Sequence, residues 1–447
     1  MKYIPQGPRD REALLKVVGL SSEDELFKFI PPHLQVKGAL PYPKAQSEIE
    51  IRKTFQDFCA LSPQPKMSFA GAGIYHHDVP SIVPFLQGRS EFATSYTPYQ
   101  PEISQGTLQA IFEFQTLVCQ LTECELSNAS LYDGATSLAE AALMALRVKK
   151  KAEGKILISQ GLHPFYIGVL RTYLQNFSDR IEIIPLKGDQ TDLDRLTAGV
   201  KSGADLVITQ SPNIFGVIEN YEAIGSVIQG SETFWATATA EPLAWGVLRG
   251  PGAFGAHFVT AEGASFGAAP YLAGASYGLF ATKNEYIRNL PGRLVGETVD
   301  ELGRRAYTLT FATREQFIRR DKATSNICTN QNLNMLAGLI HMTTLGKQGF
   351  SLLAQRNLSL AEYAKSAILS ASGSFKISKS PTFNEFCVEL SCDAGKLVRQ
   401  AAAEGFVCGV DMGRFDKTWS NRLLVCTTEL NTKQQIDELA AFLRRSA

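Results

Sequence analysis

Ile156-Leu157-Ile158-Ser159, Ile181-Glu182-Ile183-Ile184 and Leu206-Val207-Ile208-Thr209 are three short apolar runs separated by segments of helical length over 164–176 and 192–200. Near-continuous apolarity over four or five residues, bounded by polar turns, reads as a strand covered on both faces. The rhythm extends in both directions. Upstream, Leu108, Ile111, Phe112, Leu117, Val118 and Leu121 form a helical stripe. Asp133-Gly134-Ala135-Thr136 then opens a helix that runs to Lys149-Lys150-Lys151, where cations suit a helix C-terminus and otherwise read as a solvated end. Downstream, a helix over 221–229, a strand over 232–239 and the run Phe258-Val259-Thr260-Ala261-Glu262-Gly263 continue the alternation. Strands alternating with helices of this length predict a large α/β domain with a mostly parallel sheet.

Either side of that block the pattern changes. Residues 1–65 read as an N-terminal helical arm, in which Ser47-Glu48-Ile49-Glu50 has the form of a capping box ahead of Ile51, Phe55 and Phe58. The large domain is expected over 66–300. Beyond it, a helical stretch over about 331–371 precedes Phe386-Cys387-Val388-Glu389-Leu390, a helix near 393–404, Leu423-Leu424-Val425-Cys426 and a last helix from Thr432 to about Arg445. That order resembles a split βαβ unit, hence a smaller α+β domain over 301–447.

Composition narrows the function classes. Lys plus Arg is 44 and Asp plus Glu is 44, so the formal charge is zero and no electrostatic footprint for nucleic acid or anionic lipid is present. Mean hydropathy is −0.05 with no apolar run long enough to span a bilayer, and the first ten residues lack the apolar stretch of a signal peptide. A cytoplasmic protein is expected. The eight cysteines sit mostly in apolar company and read as small hydrophobes, with no zinc-type spacing and no metal site expected.

A large α/β domain followed by a small α+β one resembles the outline of fold type I, aspartate-aminotransferase-like enzymes that depend on pyridoxal phosphate. Such a cofactor asks for a helix N-terminus for its phosphate, a flat partner for its ring, a carboxylate for its pyridine nitrogen and a lysine amine for its aldehyde. Tyr132-Asp133-Gly134-Ala135-Thr136-Ser137 fits the first demand, and equally fits a plain capped helix start. Ser211-Pro212-Asn213-Ile214-Phe215-Gly216 fits a cofactor-facing turn or an ordinary strand exit. The remaining demands fail: no lysine lies between Lys201 and Lys283, and no aspartate between Asp205 and Asp300. Glu241 can stand in for the aspartate, but nothing in this window replaces the lysine. His76 and His77, being adjacent, face opposite ways in an extended segment, and a hydrogen-bonded structural histidine is the expected reading. His163-Pro164-Phe165-Tyr166 reads as a helix cap.

The most distinctive run is Thr94-Ser95-Tyr96-Thr97-Pro98-Tyr99-Gln100-Pro101-Glu102-Ile103-Ser104-Gln105-Gly106, a proline-stiffened polar loop ahead of a helix. It resembles the glycine-cleavage-system P-protein family. So do Phe69-Ala70-Gly71-Ala72-Gly73-Ile74-Tyr75, Asn128-Ala129-Ser130-Leu131-Tyr132-Asp133-Gly134, Leu290-Pro291-Gly292-Arg293-Leu294-Val295-Gly296, Thr313-Arg314-Glu315-Gln316 and Lys322-Ala323-Thr324-Ser325-Asn326-Ile327-Cys328-Thr329-Asn330-Gln331. The resemblance runs along nearly the whole chain, and is closest to the N-terminal half that many bacteria make as a separate subunit 1 (alpha). It departs at Ala261-Glu262-Gly263-Ala264-Ser265-Phe266-Gly267, where the family usually reads Gly-Glu-Gly-Gln-x-Leu-Gly, and at Glu241, where an aspartate is commoner.

The resemblance implies that the cofactor lysine belongs to a beta subunit, in an α2β2 heterotetramer that holds pyridoxal phosphate mainly on beta. It implies decarboxylation of glycine and transfer of the aminomethyl group to the lipoyl arm of H-protein, with release of carbon dioxide. Tyr96, Tyr99, Gln100, Glu102, Ser104 and Gln105, with Thr324, Ser325 and Asn326, are then the residues expected to reach a shared cofactor or substrate site, and no catalytic residue of this chain is expected. Two other readings stay open: a self-sufficient enzyme of aminotransferase type using Lys283, and an inert interaction or regulatory homologue.

Overall fold

A computed structural model describes residues 7–62, 64–93, 96–149, 151–268 and 276–446. Its contacts divide the chain into Met1–Gln64 and Pro65–Ala447. In the first unit lie helices α1 (Pro8–Val18) and α2 (Glu48–Leu61), neither of which buries a residue. The capping box that precedes α2 forms as expected: the Glu50 N–H donates to Ser47 Oγ, and the Ser47 N–H to Glu50 Oε2 at 2.7 Å.

The second unit is built on a seven-stranded sheet. Its strands are β1 (Leu126–Ser127), β2 (Ile156–Ser159), β3 (Ile181–Ile184), β4 (Leu206–Gln210), β5 (Phe234–Thr239), β6 (Phe258–Glu262) and β7 (Gly278–Thr282). They lie in the order β1-β7-β6-β5-β4-β2-β3. β2 to β6 are parallel throughout, and β7 runs antiparallel to β6. Helices α3 (Gln105–Thr122), α4 (Gly134–Val148), α5 (Pro164–Tyr173), α6 (Leu193–Lys201) and α7 (Tyr221–Ile228) fill the connections. The pleat sorts the apolar side chains between two faces. Leu157, Val207, Trp235 and Val259 pack on one face with α3. Ile156, Ile158, Leu206, Ile208, Ala236 and Phe258 pack on the other with α4.

Beyond the sheet come a hairpin of β8 (Leu294–Val299) and β9 (Arg305–Thr310), and then the long helical element α8 (Asn332–Ala371). The sequence reading took 331–371 as one helix. Gly346, at φ 60° and ψ 178°, breaks it into two, a conformation that glycine adopts at little cost. The C-terminal sheet holds β10 (Lys376–Ile377), β11 (Glu385–Glu389), β12 (Val410–Asp411) and β13 (Arg422–Cys426) in the order β10-β11-β13-β12. β11 and β12 both run antiparallel to the β13 strand between them, and α9 (Ala394–Ala403) crosses over from one to the other. This is the split βαβ arrangement. α10 (Lys433–Ser446) closes the chain, its Ile436, Leu439 and Leu443 packing with Phe386, Val388 and Val425.

Two sequence readings need correction. Lys149 is not a solvated helix end: its Nζ sits 2.8 Å from Oδ1 of buried Asp205, whose other oxygen takes Arg180 at 2.6 Å. Lys150 lies outside the described residues. β7 and the β8–β9 hairpin lie outside the strand–helix alternation read from sequence: β7 is a short buried apolar run that pairs antiparallel with β6, and the hairpin mixes apolar with polar residues. Among the described residues no helix is long and apolar enough to cross a membrane.

Gly278, at the start of β7, lies against the first turn of α4, where a Cβ would overlap Ser137 Oγ and the Asp133 carbonyl. Gly278→Ala is expected to cost about 1–3 kcal/mol through overpacking. It should lower the urea midpoint with an unchanged slope.

Candidate functional site

The C-terminal ends of the parallel strands, where an open α/β sheet binds ligands, meet the start of α4. Asp133 caps that helix, accepting from the Thr136 N–H at 2.7 Å and the Thr136 hydroxyl at 2.9 Å. The next free donor, the Gly134 N–H, points to Glu262 Oε2 at 3.1 Å, a carboxylate brought from the end of β6. Glu262 Oε1 accepts from the Ala264 N–H at 3.2 Å and from the Ser276 hydroxyl. Burial pushes Glu262 up to about 7, against the pull of the Gly134 and Ala264 N–H groups. A Cβ on Gly134 would overlap the Tyr166 hydroxyl and the Glu262 backbone, so the approach to this helix start is filled.

The end of β5 carries Glu241, which the chain pairs internally. His77 Nε2 lies 2.8 Å from Glu241 Oε2, and His77 Nδ1 lies 2.9 Å from Glu429 Oε2. Ser265 Oγ donates to Glu241 Oε2 at 3.1 Å, and the Leu243 N–H to Glu241 Oε1 at 3.1 Å. Glu429 also accepts from Asn357 Nδ2 at 2.9 Å and from the Asp78 N–H at 2.7 Å. Burial works against charging His77, but the two carboxylates outweigh it and raise the imidazole to about 10. Burial likewise works against charging Glu429, and the imidazolium prevails, lowering it to about 2. Alongside, the Tyr75 hydroxyl and the Ala72 N–H each donate to Glu385 at 2.6 Å, while burial pushes that carboxyl up to about 7. His163 caps α5, as read from sequence. Its Nδ1 accepts from the Phe165 N–H at 3.1 Å, which leaves Nε2 as the protonated nitrogen, donating to the Ala72 carbonyl at 3.0 Å. Asn213 closes the turn after β4 on itself, its Oδ1 accepting from Phe215 and Val217.

These residues do not fit pyridoxal phosphate. The helix start is occupied by Glu262, and Glu241 is already bonded by three donors of this chain.

 Those three donors are the His77 imidazolium, the Ser265 hydroxyl and the Leu243 N–H, so the cation that a pyridinium would supply to Glu241 is already supplied by His77. Lys283 cannot serve as the missing amine. Thr282 pairs with Phe258 and Gly278 with Glu262, so Lys283 leaves the sheet at the opposite end of β6, about 13 Å along the strand at ~3.3 Å per residue.

The sequence-predicted residues lie elsewhere. Thr94 and Ser95 fall outside the described residues. Tyr96, Tyr99, Gln100 and Glu102 are exposed. Arg293, 3% exposed, ties this loop to the later segment. Its Nη2 donates to the Tyr99 hydroxyl at 2.9 Å and to the Cys328 carbonyl at 2.7 Å, and its Nη1 to Thr329 Oγ1 at 2.9 Å. The guanidinium carbon stands 5.3 Å from the Tyr99 ring centre. Ser104, half-buried, precedes α3 without a side-chain cap bond. The Gln105 amide bonds both ways with the Tyr307 backbone at 2.9 Å, bracing the loop on β9. The Thr324 N–H donates to the Arg314 carbonyl at 3.1 Å, Ser325 Oγ accepts from the Ile327 N–H at 3.0 Å, and Asn326 is exposed. Thr324 lines a cleft of about 230 Å³ with Arg288, Phe311, Thr313, Arg314, Arg319 and Lys322. Sequence reasoning missed Arg293 and the pairing of Glu262 with α4. The available signal for the first was an arginine set between Pro291-Gly292 and the apolar Leu294-Val295.

The pH dependence of stability follows from His77 and Glu429. The His77 contribution is full below about 6.5, the ordinary histidine value, and is lost as pH rises through about 10. The Glu429 contribution is full above about 4.5 and is lost as pH falls through about 2. His77→Ala, which leaves two carboxylates without their shared cation, is expected to cost about 3–5 kcal/mol in urea unfolding at pH 7 and to flatten the alkaline limb.

The model of the family described as glycine cleavage system P-protein matches residues 1–443. A probable glycine dehydrogenase (decarboxylating) subunit 1 from Halalkalibacterium halodurans is 44% identical over 444 residues, 98% of each chain. Its counterpart from Geotalea daltonii is 41% identical over 446 residues, all of each chain. The crystal structure of a glycine decarboxylase (P-protein) of the glycine cleavage system, in inhibitor-bound form, matches with a TM-score of 0.86 and 36% identity over the whole of both chains. A Burkholderia pseudomallei sphingosine-1-phosphate lyase, with a TM-score of 0.66 and 15% identity over 93% of this chain and 96% of its own, shares the fold alone. A full-length family match, relatives above 40% identity and a fold type I sheet together place the chain in the glycine cleavage system P-protein family.

Proposed function

We propose that the chain is the alpha subunit of a glycine-decarboxylating P-protein, active only with a beta subunit that carries the cofactor lysine. The assembly would remove carbon dioxide from glycine and pass the aminomethyl group to the lipoyl arm of H-protein. One observation carries this reading: the chain's own cofactor position is filled by Glu262, Glu241 and His77, while the polar loop at 96–105 turns outward. Tyr96, Tyr99 and Ile103 of this loop are exposed, as are Phe317, whose ring centre lies 6.0 Å from that of Tyr99, and the adjacent Ile318, as suits a face covered by another chain.

Pyridoxal phosphate on the partner would supply the electron sink for loss of the carboxylate. This chain's part is positional. Buried Arg293 ties the Tyr99 hydroxyl to the Cys328 carbonyl and the Thr329 hydroxyl, so Tyr96, Gln100 and Glu102 on one side and Thr324, Ser325 and Asn326 on the other are presented as walls of a shared site. Fixed walls orient a small substrate and exclude water, and a displacement near 1 Å costs about 100-fold in rate. An α2β2 assembly in the cytoplasm completes the proposal, and the free cysteines suit that reducing compartment.

The deciding experiment is glycine-dependent exchange of labelled bicarbonate, with pyridoxal phosphate and lipoylated H-protein, for this chain alone and with its beta partner. Exchange in the mixture only is expected. Exchange by the chain alone would favour the self-sufficient enzyme, and a stable complex without exchange the inert homologue. In the active mixture, Arg293→Lys keeps the charge but loses the planar fork, and should lower exchange about 10–100-fold with the far-ultraviolet spectrum unchanged.

A further inference from the structure

The charges set at the start of α4 and against Glu241 have the same signs as those a bound cofactor would bring to a helix start and to a carboxylate. A phosphate-bearing ring with a protonated nitrogen presents an anion to a helix N-terminus and a cationic N–H donor to a carboxylate. At the helix N-terminus this chain sets Glu262, whose Oε2 accepts from the Gly134 N–H at 3.1 Å. Against Glu241 it sets the flat His77 ring, whose Nε2 lies 2.8 Å from Oε2. We propose that the chain maintains the loaded shape of its fold without a cofactor by supplying both charges itself: the Glu262 carboxylate in place of the phosphate, and the His77 imidazolium in place of the pyridinium.

Each half answers a physical need. The first N–H groups of a helix have no partner within it, and the helix start favours negative charge. Asp133 takes the Thr136 N–H, and Glu262 takes that of Gly134. At the other end, a buried carboxylate without a cation is strongly unfavourable. Glu241 is 2% exposed and is answered by His77, which in turn needs Glu429 for its second N–H. Both surrogates come from the body itself, His77 from the segment before α3 and Glu262 from β6, so the arrangement forms as the chain folds.

The test uses the full-length chain alone at pH 8, with inorganic phosphate as probe. Because phosphate stabilises many proteins by exclusion, its effect is compared between variants and with chloride at matched ionic strength. Wild type, with the helix start filled, should show no saturable binding. Glu262→Ala opens the helix start and should bind phosphate at least about tenfold more tightly than wild type, whereas Glu262→Gln, which still fills the space, should not gain binding. Saturable binding by wild type, or a folded Glu262→Ala chain that ignores phosphate, overturns the proposal. If Glu262→Ala folds only with phosphate present, that supports it; if it folds in neither condition, the wild-type result decides.

The ring half is read by chemical rescue. His77→Gly should recover thermal stability with added imidazole at pH 6.5, where the additive is largely charged, and not with pyrazole, which has the same shape and remains neutral. Equal recovery with both removes the need for the charge and overturns this half. Using the chain without its partner keeps failure here separate from failure of the exchange experiment.

Discussion

A protonated imidazole held between a buried carboxylate, Glu241, and a half-buried one, Glu429, is the constraint around which the body of this protein is arranged. His77 arrives from the segment before α3, Glu241 from the end of β5 and Glu429 from the turn after β13. Three parts of the chain far apart in sequence are thereby fixed to one ring. Two carboxylates and one cation leave one negative charge in excess, and the cluster is tolerable only because Ser265, Asn357 and the Leu243 and Asp78 N–H groups supply further donors. Removing any one member would leave a buried charge or a buried lone pair without a partner, which is why such clusters tolerate substitution poorly.

The cluster also divides the molecule's labour. Inward, at the strand ends where a fold of this kind receives its ligand, the donors and acceptors are already spent on one another. Outward, the loop at 96–105 and the segment at 324–330 keep polar and aromatic side chains exposed while their backbones are pinned. Arg293 does the pinning: almost wholly buried, it bonds Tyr99 from one segment and Cys328 and Thr329 from the other. Gln105 performs a similar service toward β9. A closed interior with a braced, exposed rim suits the role proposed above for this chain, that of shaping a site for a partner.

Much of the fold was legible because its signals are local. The central parallel strands β2 and β4 announced themselves as apolar runs, since both faces of a parallel sheet are covered, whereas edge strand β3 exposes Glu182 and β5 alternates alanine with threonine. Asp133, Ser47 and His163 announced helix starts because capping needs only a side-chain acceptor two or three residues from an N–H. Gly346 escaped notice, a single glycine in a long periodic stretch giving no sign that its φ is positive. β7 carries a short apolar run too, but its antiparallel pairing with β6 lies outside the strand–helix alternation by which the others are read.

By itself the sequence determined the layered α/β plan, the family and the missing lysine, each of which depends on residue type at a known spacing. Only the tertiary structure decided that Glu262 closes the start of α4, that His77 and not His76 is the buried partner of Glu241, and that Arg293 joins Tyr99 to the distant Cys328 and Thr329. Those are facts about which side chains meet across the fold. They depend on the direction each side chain takes from its backbone and on the charges it finds there, and neither is written in the order of the residues.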